Sequence, residues 1–155
     1  MYLPVGAVEY KNLAVMAVKA AIRMIDRHAY IGQGYMTDVY HAAAPVTQLL
    51  EGDTDITSGM ADINGGMCSV ATIFGRVPYE ELDEDTQDAC GEFLNCINGL
   101  YASNESLENR EYELVPPEIC ENRTLTSGAT LVLPVYIKDK GFAFMVTDHT
   151  WKSQS

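Results

Sequence analysis

Apolar residues recur at three- and four-residue steps in two stretches of this chain, and at two-residue steps in others. Leu13, Ala17, Ala20 and Met24 follow the helical period, with Lys11, Lys19 and Arg23 elsewhere on the surface, predicting a first helix from about Val8 to Arg27. Gly32-Gln33-Gly34 is read as its end. A second long helix is predicted from an N-cap at Asp83 or Asp85 to about Ser103. Between the two, YMTDVYHA and PVTQLL are strand candidates. EGDTDITSGMADINGG is turn-rich and is read as a short hairpin, and MCSVATIFGRV as a short apolar helix. REYELVPP alternates into a strand stopped by Pro116 and Pro117, and ATLVLPVYIKDKGFAFMVT reads as a hairpin turning across Lys138 to Gly141. Few crossover helices separate the late strands. The predicted class is therefore α+β, a two-layer sandwich of two long helices packed on a mostly antiparallel sheet, with no internal repeat.

The second helix carries an anomaly. At about 100° per residue, Ala89, Phe93, Cys96, Ile97 and Leu100 share one arc, read as the buried face. Asp88, Glu92, Asn95 and Gly99 share a different, narrow arc. A polar stripe of this kind is either ordinary solvated surface or a working edge.

Composition narrows the field. A chain of 155 residues with 47% apolar content is read as one globular domain spanning residues 1–155. A formal net charge of −12 argues against general affinity for nucleic acid or an anionic membrane. MYLPVGAVEYKNL lacks the basic start and long apolar core of a secretory signal, and Lys19, Arg23 and Asp26 interrupt the apolar stretch that follows. The four cysteines (Cys68, Cys90, Cys96 and Cys120) are read as small apolar packing residues in a reducing compartment. Cys90 and Cys96, on separated arcs of one helix, cannot bridge each other. The sequons at Asn104 and Asn122 are then chance matches, and the expected location is cytoplasmic.

The usual chemical signatures fail one by one. The acidic loop from Asp53 places Gly59 seventh instead of sixth and Asn64 at the twelfth position, where a calcium loop needs a bidentate Glu. His28, His41 and His149 have no partner at metal spacing and no C-x-x-C occurs, so no metal site is expected. No phosphate loop or dinucleotide fingerprint is present.

The polar stripe remains, and its surroundings are informative. The arrangement Asp-x-x-x-Glu-x-x-Asn has Gly91 before the Glu, Gly99 four places after the Asn and a proline some twenty residues on. It resembles the CheC/CheX family of chemotaxis phosphatases, which hydrolyse the aspartyl phosphate of CheY-like response regulators. The matching residues are Asp88, Gly91, Glu92, Asn95, Gly99 and Pro117, with Pro116 as the alternative proline. The acidic lead-in EELDEDTQDA and the order of elements also fit, strongly from about Tyr79 to Thr147. The family's glycine-bearing strand pair is not recognised in DITSGMADINGGM. One motif copy resembles CheX, whereas CheC carries two.

The resemblance implies Glu92 and Asn95 as catalytic residues, with Asp88, Gly91, Gly99 and Pro117 at the partner-binding edge. An acyl phosphate is already reactive, so the task is to place a water in line with the leaving carboxylate oxygen. The amide of Asn95 both donates and accepts hydrogen bonds and does not titrate. Glu92 would pair with the Lys that CheY-like receivers carry near the phosphorylated Asp. Asp88 caps, orients or contacts the rim. Gly91 and Gly99 serve close approach of a partner backbone, or close helix–sheet packing. Pro117 shapes the loop beside the helix. The magnesium of the reaction belongs to the receiver, so no cofactor is expected in this chain. The implied partner is a phosphorylated CheY-like receiver, and the implied assembly a homodimer paired through the sheets, with the closing hairpin as the apolar strand. A rival with the same fold is an inactive CheX-like module that binds a receiver without hydrolysing its phosphate.

Overall fold

The computed structural model describes residues 10–148 and 151–154, with backbone alone for 123, 126–128 and 152–154. Val8, Glu9 and His149 of the expectations above lie outside the described residues. Helix α1 (Lys11–Ala20) continues into a wider π-helical turn over Ala21–Ile25. At Asp26 the backbone swings to an extended conformation, and its carboxylate accepts the His28 N–H at 2.8 Å. The helix is thus ended by a side-chain turn, several residues before the glycines to which the sequence pattern assigned the stop.

The strands and remaining helices follow as β1 (Tyr30–Ile31), β2 (Tyr35–Glu51), β3 (Ile56–Asp62), α2 (Gly66–Gly75) and α3 (Glu84–Ser106). After α3 come β4 (Glu113–Leu114), β5 (Glu118–Ile119), β6 (Arg123–Ile137), β7 (Lys140–Thr147) and β8 (Lys152–Gln154). They form one eight-stranded sheet of order β1-β6-β7-β3-β2-β4, with β5 also on β2 and β8 on β6. The pairings are antiparallel. The architecture is α+β, as the pattern predicts, with α2 as a third helix. Among the described residues no helix is long and apolar enough to cross a membrane.

Two segments differ from their sequence reading. YMTDVYHA and PVTQLL are one strand, β2, bent where the register shifts between Ala43 and Val46 and where Ala44 takes φ +47°. Its first half pairs with β6 and its second half with β3, so the sheet curls back on itself. The stretch read as a short hairpin holds β3, a central strand buried from Ile56 to Ala61. Thr57, Ser58 and Gly59 hid it, because small and polar residues erase the alternation that marks a strand. A Cβ on Gly59 would stand 3.0 Å from the Val46 carbonyl oxygen and 3.2 Å from Met145, so the interior leaves no room for a side chain there.

The late strands obey the two-residue period on both faces. Leu131, Leu133 and Val135 of β6 and Phe142, Phe144 and Val146 of β7 join the larger core beneath the helices, together with Leu13, Phe93 and Ile97. Val132, Ala143 and Met145 point to a smaller cluster on the other face, with Tyr40 and Trp151 packed against it. Strand β7 pairs with β6 on one side and β3 on the other. The closing hairpin therefore contributes β7 to the middle of the sheet, where it has no free edge for a second copy. The pairing route expected for a dimer needs a different strand.

Helix α3 begins at Asp83, whose carboxylate accepts the Thr86 backbone N–H at 3.0 Å. It packs on β2 and against α1 and α2. Ala89, Phe93 and Ile97 are buried as the pattern predicts, but Cys96 is half-buried and Leu100 is 45% exposed. The reason is coverage along the helix. Helix α2 meets α3 at Cys90, whose thiol donates to the Met67 carbonyl, and at Phe93, edge-on to Phe74 at 5.6 Å. Leu100 lies two turns beyond these contacts. The buried face is instead centred on Cys90, Leu94 and Tyr101, and it includes Gln87, Asn98 and Glu105.

The cap also gives a testable dependence on pH. Hydrogen bonding, first from the Thr86 N–H, holds the Asp83 carboxyl below its ordinary value. A carboxyl lowered on folding stabilises the fold above its unfolded pKa, about 3.9, and the contribution is lost as pH falls through the lower folded value. Asp83→Ala is expected to lower the melting temperature at pH 7, with the difference from wild type shrinking below about pH 4. Paired thermal melts across that range check this; an undiminished difference at pH 2.5 would mean that charge and capping are not its source.

Candidate functional site

One side of α3 and the segment carrying β4 and β5 face each other across a cleft of about 720 Å³. The helix supplies Asp88, Gly91, Glu92, Asn95 and Cys96, the segment supplies Leu114 to Pro117 and Ile119, and Phe74 of α2 closes one end. The segment is held to the sheet edge by two two-residue strands that flank the prolines. The strand read in REYELVPP is reduced to β4: its ladder begins only at Glu113, opposite Glu51, where β2 itself ends, and the prolines close it on the other side as read. Asp88, Glu92 and Asn95 are exposed on the helix side. Five of the six residues named from the motif line this cleft; Gly99 does not.

Gly91 is buried, and a Cβ there would lie 3.4 Å from Val46 and 3.5 Å from Pro117. These are ordinary van der Waals distances, so the helix, strand β2 and the proline segment would pack as closely around an alanine, and packing within the domain does not require the glycine. A Cβ on Gly99 would meet nothing within 4 Å. Close packing within this domain therefore does not explain Gly99.

Behind the cleft lies a chain of buried amides. On β2, Gln48 follows Val46 and precedes Leu50 on the helix-facing side, and it is 1% exposed. Its Nε2 donates to the Asn95 Oδ1 at 2.7 Å and to the Val115 carbonyl oxygen at 2.9 Å. Its Oε1 accepts from the Asn98 Nδ2 at 2.7 Å. Asn98 is fully buried and also meets the hydroxyl of Ser58, the residue directly opposite Gln48 on β3. The orientation of these amides follows from one atom. A backbone carbonyl oxygen only accepts, so the Gln48 atom facing Val115 is nitrogen, and the Asn95 atom facing that nitrogen is oxygen. The Asn95 Nδ2 and the second lone pair of its Oδ1 are thereby turned to the open side.

Sequence reasoning missed Gln48, Asn98 and Ser58. A signal was present in PVTQLL: a Gln between Val46 and Leu50 on an apolar face must find a partner when buried. All four cysteines are free, burial pushes the Cys90 thiol up to about 12, and burial with the neighbouring Glu92 charge raises that of Cys96. His41 shares a hydrogen bond with Thr124 at 2.8 Å, and neither His28 nor His41 lines the cleft. Among the described residues no group of three His, Cys, Asp or Glu side chains is placed to hold a metal ion.

No protein-family model matches this sequence, and no curated protein matches it. Solved structures do match. A CheC-like chemotactic protein from Shewanella oneidensis superposes with a TM-score of 0.74 at 11% identity, covering 92% of this chain and 98% of its own. A CheX from Desulfovibrio desulfuricans gives 0.73 at 15% identity, covering 92% and 97%. The fold is CheC/CheX-like. A third structure of this fold is the CheX of Borrelia burgdorferi, solved in complex with CheY, BeF3 and Mg2+. It superposes with a TM-score of 0.72 at 14% identity, covering 89% of this chain and 96% of its own. In this CheX-like frame the polar stripe sits on a long central helix beside a proline-bearing segment.

The geometry around Gly99 has a direct consequence. An open, mid-helix glycine destabilises a helix by about 0.5–1 kcal/mol relative to alanine. Gly99→Ala is expected to stabilise the domain by about that amount, seen as a higher urea midpoint at unchanged slope. A lower midpoint would show that the position is not open.

Proposed function

We propose that this chain hydrolyses the aspartyl phosphate of a CheY-like response regulator in chemotaxis or related two-component signalling. The observation that carries the reading is the placement of Glu92 and Asn95 together, exposed at the mouth of a cleft walled by Pro116 and Pro117, in a CheX-like fold. That a CheX of this fold has been solved with CheY, BeF3 and Mg2+ supports a receiver as partner.

In this reading α3 docks over the receiver's phosphorylation site. Asn95 holds a water in line with the acyl phosphate. The water oxygen bonds to phosphorus as the bond to the aspartyl oxygen breaks, regenerating the carboxylate and releasing dihydrogen phosphate. Glu92 pairs with the receiver's Lys and fixes the register of the helix, with Asp88 one turn earlier at the rim. The receiver brings its own magnesium, so this chain supplies groups that position and not groups that coordinate. The reading carries with it a single catalytic domain over residues 1–155, a cytoplasmic location and a homodimer. Because β7 is interior, association would use other surfaces, and Tyr30, Tyr35 and Val39 are the exposed apolar side chains of β1 and β2. Light scattering at high concentration is expected to give a dimer mass; a monomer throughout removes that part of the proposal.

The two central residues are expected to divide the work. Asn95→Ala removes a group that acts in the transition state, so the rate should fall with little loss of receiver affinity. Glu92→Ala leaves a buried Lys of the partner unpaired, typically a loss of about 2–5 kcal/mol, so affinity should fall with rate. Single-turnover decay of a magnesium-loaded phosphoreceiver, with binding measured separately on its BeF3 adduct, checks both. Unaltered hydrolysis by Asn95→Ala would sink this mechanism. Tight binding by wild type with no acceleration of decay would instead establish the docking module.

A further inference from the structure

We propose that Gln48 is a positioning residue for Asn95, holding its carboxamide in the one orientation that presents Nδ2 and the free Oδ1 lone pair to the reacting water. The inference rests on the phosphatase reading and adds to it the residue through which the water-placing group is itself placed. The terminal torsion of an exposed Asn is broad and roughly two-fold, so a free carboxamide would spend its time in several orientations and either flip state. Asn95 is exposed, yet its oxygen is held at 2.7 Å by a donor that is 1% exposed.

That donor cannot easily turn away. Both Nε2 protons of Gln48 are used, one on Asn95 and one on the Val115 carbonyl, while its Oε1 is held by Asn98. Asn98 and Ser58 are fully buried and bond to each other. Flipping Gln48 would set its oxygen against two acceptor oxygens and its nitrogen against the Asn98 Nδ2. The orientation therefore passes from the Val115 carbonyl, through Gln48, to the surface. Gln48 also ties the two walls of the cleft. The Val115 N–H donates to the Leu49 carbonyl at 3.0 Å, so one stretch of β2 holds both backbone groups of a cleft-lining residue. A catalyst that works by placing a water depends on such support, since a displacement of about 1 Å can lower a rate about 10²-fold.

The test uses the whole chain and a CheY-like receiver phosphorylated in the presence of magnesium. Gln48→Met removes both donors at similar length. Gln48→Glu keeps the shape but faces Asn95 with oxygen, driving its carboxamide to flip. Both are expected to lower the maximal single-turnover rate about 10- to 100-fold, with the half-saturating concentration and the affinity for the BeF3-loaded receiver within about twofold of wild type. In an Asn95→Ala background, Gln48→Met should cause no further loss, because the group it positions is gone. A merely structural Gln48 would give additive losses, and that result, or an unchanged rate in Gln48→Met, overturns the proposal. Should neither variant fold, side-chain 15N relaxation on the wild-type protein decides. A held Asn95 Nδ2 gives an order parameter near 0.85, and a value below about 0.6 overturns the proposal. Wild-type protein that leaves receiver decay unchanged overturns the phosphatase reading and this inference together. Loss of rate in Asn95→Ala with none in Gln48→Met overturns this inference alone.

Discussion

A buried amide must find partners, and that constraint sets how α3 lies on the sheet. Gln87, Asn98 and Glu105 fall on the same inner side of the helix, and each is tied at a different point along it. Gln87 reaches the Cys120 carbonyl at 2.7 Å, Asn98 reaches Gln48 and Ser58, and Glu105 holds Arg110 and Asn12. Leaving one such group unsatisfied costs about 1–3 kcal/mol, in addition to the cost of mispacking the close-packed apolar side chains around it. Rotating the helix would break these three polar ties together. With Asn98 fixed against the sheet, Asn95 one turn earlier is carried to the border between core and solvent, and Glu92 one turn earlier again lies in the open.

The same feature explains what was legible beforehand. The two-residue period of Leu131 to Ile137 and Phe142 to Val146, and the capping pattern at Asp83, are local, and the elements they announce are present. The exposed stripe was legible because Asp88, Glu92 and Asn95 are polar and solvent wants them. What was not legible is polar and buried. Asn98 and Glu105 look like surface residues to any pattern that counts apolar positions, so the inner face was assigned too far toward Cys96 and Leu100. Strand β3 disappeared for a related reason, since Ser58 and Gly59 face close neighbours rather than water. The partners of Asn98, which are Ser58 and Gln48, lie 40 and 50 residues away, beyond any local window.

The cleft combines two kinds of wall. The helix wall is held by the buried amides and offers charged and amide groups outward. The opposing wall contains two prolines, fixed in φ, between short strands bonded to β2. Both walls are thus tied to the same strand. Asp88 and Glu92 are the charged residues of the lining, so the opening itself is acidic.

The hydrogen bonds behind the cleft also bear on when during folding it comes into being. Gln48 is 47 residues from Asn95, 50 from Asn98 and 67 from Val115, so the arrangement closes long loops, whose entropy must be lost before the contacts repay it. A nascent chain that has made α3 and even the β2–β3 pair still lacks the proline wall. The helix on its own would carry Asp88, Gly91, Glu92, Asn95 and Gly99 without the opposing wall or the tie to Gln48. The cleft is thus a property of the finished domain, and a partly folded chain carries the same residues without it.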